Sequence, residues 1–201
     1  MKNIIALSLK KSQSYPEYRA FVSEALQNEP EKLQIDDSML SYAQLNETRL
    51  KRLDKTTKIS DDNVLKMEQL SRKHIWLVIT ESWCGDAAQN LPIMNKLALL
   101  SESIDLRLVF RDQNLELMDA FLTNGGRAIP KLLVLDAETK EVVGEWGPRP
   151  AGAVAYVENY KATHGSFDDA GKEGLFKWYN ENKGREAEEE LVGLMTQLEK
   201  R

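Results

Sequence analysis

The chain has one sulfur nucleophile available: Cys84, in the run Trp83-Cys84-Gly85-Asp86-Ala87, is its only cysteine. The run follows a short apolar stretch at 75–79, which predicts a strand buried on both faces, and precedes a stretch of helical periodicity. A cysteine at such a strand-to-helix turn meets the positive end of the helix dipole, which favours the thiolate and lowers its pKa. Asp86, in the first turn of the same helix, places a negative charge beside the sulfur and raises that pKa. The two effects oppose each other, and the sequence does not rank them. Two readings of Cys84 therefore stay open. It is exposed and reactive, as its place beside Gly85 favours, or it is buried and inert, as free cysteines commonly are.

Other residues of chemical interest are dispersed. His74 and His164 lack metal-ligand spacing and one cysteine completes no zinc site, so neither a metal nor a cofactor is expected. Arg49, Lys51, Arg52, Lys55 and Lys58 read as the solvated face of a helix, the alternative being a surface for an anionic ligand or partner. Gly125-Gly126 is a turn with no helix behind it and so is no phosphate loop. Pro148-Arg149-Pro150 reads as the cap leading into a helix at 151–162.

The elements that must position Cys84 follow from periodicity. Ser14-Tyr15-Pro16-Glu17 has the form of a capping box, with Tyr15, Tyr18, Phe21, Val22, Ala25 and Leu26 at helical spacing behind it. A second helix begins near Ser38, with Tyr42, Leu45, Leu50 and Leu53 as its apolar series. A third is capped by Ser60 and carries Asp61 and Asp62 at its positive end. The run Ile4 to Leu9 is too short to decide between strand and helix. From residue 74 onward the pattern becomes strand at 75–79, helix at 84–100 interrupted by Pro92, strand at 106–110, helix at 115–122, a hairpin of 131–135 with 142–146, and helix at 151–162. A parallel start and an antiparallel finish predict an α/β fold, a central mixed sheet with helices on both faces. The segment after Ser166 is helical and charged, and Leu175, Phe176, Trp178 and Tyr179 can dock it on the core. Three parts are expected: an N-terminal helical extension at 1–72, a core at 73–162 and a C-terminal helical tail at 163–201.

Composition narrows the function classes. With 201 residues, 42% hydrophobic and 29% charged, one globular unit is expected. The net charge of −5 offers no general attraction to phosphate backbones, so no nucleic-acid partner is expected. A single cysteine makes no intramolecular disulfide, which fits a reducing cytoplasm. The start at Met1-Lys2-Asn3 has some likeness to a signal peptide. Its apolar run stops at Lys10-Lys11 without a small-residue cleavage site, so no leader and no membrane association are expected.

Trp83-Cys84-Gly85, the helix with Pro92, and Arg127-Ala128-Ile129-Pro130-Lys131-Leu132-Leu133 together resemble the thioredoxin superfamily. The likeness spans about Lys73 to Ala162, with Gly144 in the last strand. Tyr42-x-x-Leu45-Asn46 with Arg49 and Arg52, Trp146-Gly147-Pro148-Arg149-Pro150 and the region of Trp178 are similar to a bacterial thioredoxin-like group with extended ends. The resemblance implies a thioredoxin fold with helical extensions, Cys84 as the group that attacks a disulfide, and a cis Pro130 packed against it. It also implies that the Ile129 backbone pairs with substrate, and that Trp83, Gly85 and Asp86 complete the docking rim. Two positions depart from that family: Ala87 stands in place of the resolving cysteine, and Val78 in place of a buried acid. Both losses touch the release step, since no internal thiol can clear a mixed disulfide on Cys84. Two functions are therefore expected as rivals. One is monothiol exchange in cytoplasmic redox homeostasis with protein thiols or a small thiol such as glutathione. The other is a redox-inactive module that holds an extended partner segment in the Trp83/Ile129/Pro130 groove. The superfamily's cluster-binding monothiol members carry a different motif after Cys-Gly. Oligomeric state is not legible.

Overall fold

The computed structural model describes residues 2–200; Met1 and Arg201, the outer ends of the first and third parts, lie outside the described residues. The start folds as helix α1 (Lys2–Lys11), which settles the undecided run: Ile5 and Ser8 lie on its buried face. Strand β1 (Gln13–Ser14) and helix α2 (Tyr15–Asn28) follow. The capping box forms as the sequence predicts: the Ser14 hydroxyl accepts from the Glu17 N–H at 3.4 Å, and the Glu17 carboxylate accepts from the Ser14 N–H at 2.7 Å. Such a cap is worth about 1 kcal/mol.

Helix α3 (Asp37–Thr56) forms, but its buried face differs from the apolar series. Ala43, Asn46, Glu47 and Leu50 are buried, while Tyr42 and Leu45 are 42% and 47% exposed. The polar residues can turn inward because each finds a partner. Asn46 donates to the Ser82 carbonyl at 3.1 Å, and Glu47 pairs with Arg19 of α2. Arg19 also reaches Asp54 at 3.2 Å, and Tyr15 donates to Asp54 at 2.6 Å, so α2 and α3 are joined by a charged network. Helix α4 (Asp61–Glu68) starts at Ser60, yet the serine hydroxyl does not cap it. It donates instead to Glu188 at 2.6 Å, a carboxylate that also accepts from the Ser60 N–H and from Asn63.

The sheet comprises β1, β2 (His74–Thr80), β3 (Ile104–Phe110), β4 (Lys131–Asp136) and β5 (Val142–Trp146), in the order β1-β3-β2-β4-β5. β2 and β3 run parallel, in the register Trp76 opposite Leu106; β4 and β5 are antiparallel neighbours, and β1 is an antiparallel edge absent from the sequence reading. Two residues are too few for an alternating pattern, which is why β1 left no signal. Every residue of β2 is buried, as a strand covered by helices on both faces requires. The helices α5 (Gly85–Ala98), α6 (Leu115–Ala120), α7 (Ala151–His164), α8 (Asp169–Asn182) and α9 (Arg185–Glu199) complete the chain. One apolar core joins Ile5, Tyr18 and Val22 near the start to Trp76 and Leu133 of the sheet and to Leu191 and Met195 of α9. A smaller cluster of Ala153, Val157, Leu175 and Tyr179 fastens α8 to α7. Among the described residues, no helix is long and apolar enough to cross a membrane.

Candidate functional site

Cys84 occupies the N-cap of α5, with extended backbone, and its sulfur accepts from the Ala87 N–H at 3.4 Å. The thiol in turn donates to the Ile129 carbonyl at 3.3 Å, across the cis peptide bond between Ile129 and Pro130 that the resemblance implies. A second cis bond, Gly147-Pro148, lies alongside. Gly147 has φ +108°, and a Cβ there would collide with the Pro130 carbonyl oxygen, so no other residue fits this crossing.

Above the sulfur opens a cleft of about 460 Å³. Trp83, Cys84, Gly85, Asp86 and Ile129 line it; Pro130 is buried behind Ile129 and does not. The C-terminal tail builds much of the opposite wall. Phe176 of α8 packs on Gly85, where an added Cβ would lie 2.9 Å from its ring, and Arg49 of α3 stacks on that ring at 3.6 Å. Arg111 lies over Trp83 at 4.8 Å. An open cleft with apolar and charged residues on its walls has the form of a small-molecule or segment-binding site.

The structure ranks the opposing influences on the thiol. Cys84 is only 7% exposed, against the exposure its turn position favours, because α8 and the Gly147–Pro148 crossing close over the turn. Burial pushes its pKa up to about 12; the nearby Asp86 charge adds to the rise, and the N–H groups of α5 and Arg149 oppose it. Desolvation outweighs the dipole. Asp86 is itself raised by burial, against the pull of Arg149 at 2.6 Å and a hydrogen bond from Tyr179 at 2.9 Å. Glu81, three residues before Cys84, is 3% exposed and burial carries its pKa to about 7; its carboxyl accepts from the Asp112 N–H at 3.0 Å. Val78 lies in the centre of β2 opposite Leu108 and Leu132, wholly buried in apolar surroundings.

Sequence reasoning missed several of these groups. Arg149 reads as part of a cap, and Pro150 does precede α7, but the arginine side chain turns back to Asp86. Its Nε–H is buried without an acceptor. Glu81 carried a usable signal, an acid just after the apolar run at 75–79. Phe176 and Tyr179 read as docking the tail on the core and Arg49 as part of the family-like motif, but their place at the cleft appears only when the tail and α3 fold over α5. Among the described residues no cluster of three or more His, Cys, Asp or Glu could hold a metal ion.

Two solved structures are similar in fold. One is a protein of unknown function, PA1234, from Pseudomonas aeruginosa, at TM-score 0.59 and 18% identity, covering 92% of this chain and 99% of that one. The other is an HIV epitope-scaffold, at TM-score 0.54 and 17% identity, covering 91% and 98%. No curated protein matches the chain. These likenesses show that the α/β fold with helical additions at both ends is shared with both. The family model described as thioredoxin matches residues 32–161, more than half of the chain, and the chain belongs to the thioredoxin family.

Proposed function

We propose that the cleft is a monothiol exchange site for a small anionic disulfide or thiol, such as glutathione, or for a thiol-bearing protein segment, working in a reducing bacterial cytoplasm. The supporting observation is the position of the Cys84 sulfur: it lies on the cleft floor against Ile129, beneath a wall whose Arg49 has no carboxylate partner among the described residues. Arg127, Arg111 and Lys172 at the rim are each paired with an aspartate, and Arg149 with Asp86, which leaves Arg49 to receive an anionic group.

In the exchange, the Cys84 thiol loses its proton to solvent and the thiolate attacks one sulfur of the ligand disulfide. A Cys84–ligand bond forms, the ligand S–S bond breaks, and the departing thiolate takes up a proton. With Ala87 in place of a second thiol, an external thiol must repeat the exchange to free Cys84. At pH 7 a thiol of pKa about 12 is ionised to about one part in 10⁵. The higher nucleophilicity of such a thiolate recovers part of this, leaving exchange roughly a hundred-fold slower than at an unperturbed thiol. Incubation of the reduced protein with glutathione disulfide is expected to give a mixed disulfide on Cys84, detected by mass and reversed by added thiol. No adduct on Cys84 after prolonged incubation, while the unfolded chain is modified under the same conditions, would remove the exchange reading.

The protonated, 7% exposed sulfur favours a second reading, in which the same cleft binds without covalent chemistry. Cys84→Ser separates the two: a binding module keeps its ligand, whereas an exchange site loses it.

A further inference from the structure

A second cavity, of about 480 Å³, opens between the end of α3, the middle of α5 and the junction of α8 with α9. Arg52, Lys58, Lys183 and Arg185 line it, and no aspartate or glutamate does. None of the four forms an ion pair among the described residues, although most other arginines of the fold are matched to a carboxylate. Arg52 donates to Asn180 at 3.1 Å and Arg185 to the Asn182 carbonyl at 3.1 Å, contacts with neutral atoms that fix the guanidinium groups and leave their charge uncompensated.

The acidic residues of α9 that could have compensated them are turned elsewhere. Glu186 accepts from the Gly152 N–H at 2.8 Å, and Glu188 from Ser60 and Asn63. The residue at the start of α9 is Gly184, which has no side chain to cap the helix, so its positive end adds to the field at the cavity. On the cavity wall, Gln89 of α5 is 6% exposed, yet its side-chain amide has no hydrogen-bond partner among the described residues. The Gln89 amide faces the open cavity, where its N–H groups can donate to a bound acceptor. Four cations without a carboxylate on the lining and a helix N-terminus favour an anion, to which the amide can also donate.

We propose that this cavity binds a small molecule bearing two or more phosphate charges, with Arg52, Lys58, Lys183 and Arg185 surrounding the anion and the Gln89 amide donating to it from the wall. Tetrahedral phosphate oxygens suit the mixture of guanidinium, ammonium and helix N–H donors, and the volume is that of a small-ligand site. The assignment does not rest on the chemistry of Cys84, since none of these residues reaches the sulfur.

The test is calorimetric titration of the whole protein with inorganic tripolyphosphate at fixed ionic strength. Saturable binding of one equivalent is expected, weakening as salt is raised. The double variant Lys183→Ala, Arg185→Ala should bind about ten-fold more weakly. Gln89→Leu should weaken binding several-fold, and a remote pair on α1, Lys10→Ala with Lys11→Ala, should leave it unchanged. Near-ultraviolet circular dichroism checks that each variant keeps its packing. Three results would overturn the proposal: no saturable binding, equal losses from the remote pair, or association only with vesicles bearing phosphorylated headgroups and none with tripolyphosphate.

Discussion

Two buried carboxyl groups flank Cys84, and they have different fates. Glu81, on the strand side, has a backbone N–H as its hydrogen-bond donor, and Arg111 nearby is already paired with Asp112. Its pKa rises to about 7, so it is largely protonated in mildly acidic solution. Asp86, on the helix side, has Arg149 at 2.6 Å and the Tyr179 hydroxyl at 2.9 Å, groups supplied by the loop before α7 and by α8. Burial raises its pKa too, but the ion pair opposes the rise and favours the charged form. The lesson is that a charge persists in this interior only where a distant segment brings it a partner. The persistent charge adds to the suppression of the thiol that burial begins.

The largest expected effect comes from removing the weakly supported acid. Because the folded pKa of Glu81 lies above the unfolded value of 4.5, the folded state binds more protons between these limits. Stability therefore falls as pH rises from about 4.5 to 7 and levels off above. Glu81→Gln keeps the acceptor for Asp112 and removes the titration. It should gain about 3 kcal/mol over the wild type at pH 8 and almost nothing at pH 4, measured by denaturant unfolding. Equal gains at both values would break the contrast between the two acids.

Asp86→Asn addresses the supported charge. With that charge gone and Arg149 free, the Cys84 pKa should drop by one unit or more, and alkylation by iodoacetamide at neutral pH should accelerate about three-fold or more once the lower nucleophilicity of the thiolate is counted. An unchanged rate would assign the suppression to burial alone. A smaller effect follows from Tyr179→Phe, which removes one donor to Asp86 and leaves Arg149 in place. About 1 kcal/mol of stability should be lost, and the Asp86 pKa should move further up, seen by carbon NMR of the carboxyl.

Much of this arrangement was legible in the sequence, and the unread part has a common cause. The apolar run at 75–79, the Ser14–Glu17 cap and the hairpin of β4 with β5 depend on neighbours in the chain, and they form as the periodicity predicts. Cys84 at the head of α5 and the cis bond before Pro130 follow from a local motif. The buried face of α3 does not. Asn46 and Glu47 displace Tyr42 and Leu45 from the interior only because Ser82 and Arg19 satisfy them, and those partners lie far away in sequence. The cleft wall is only half-read for the same reason: Phe176 and Tyr179 read as docking on the core and Arg149 as part of a cap, but all three reach the Cys84 turn only through tertiary folding. Periodicity registers whether a residue is apolar; it does not register whether a polar residue will find a mate.

The alkylation rate of Cys84 as a function of pH bears most directly on this account of a thiol silenced by burial and a carboxylate. The rate should be low at pH 7 and keep climbing beyond about pH 10 without a plateau, as a sulfur of pKa near 12 requires. A plateau reached by about pH 8 would show a thiolate already formed in the resting cleft and would contradict it.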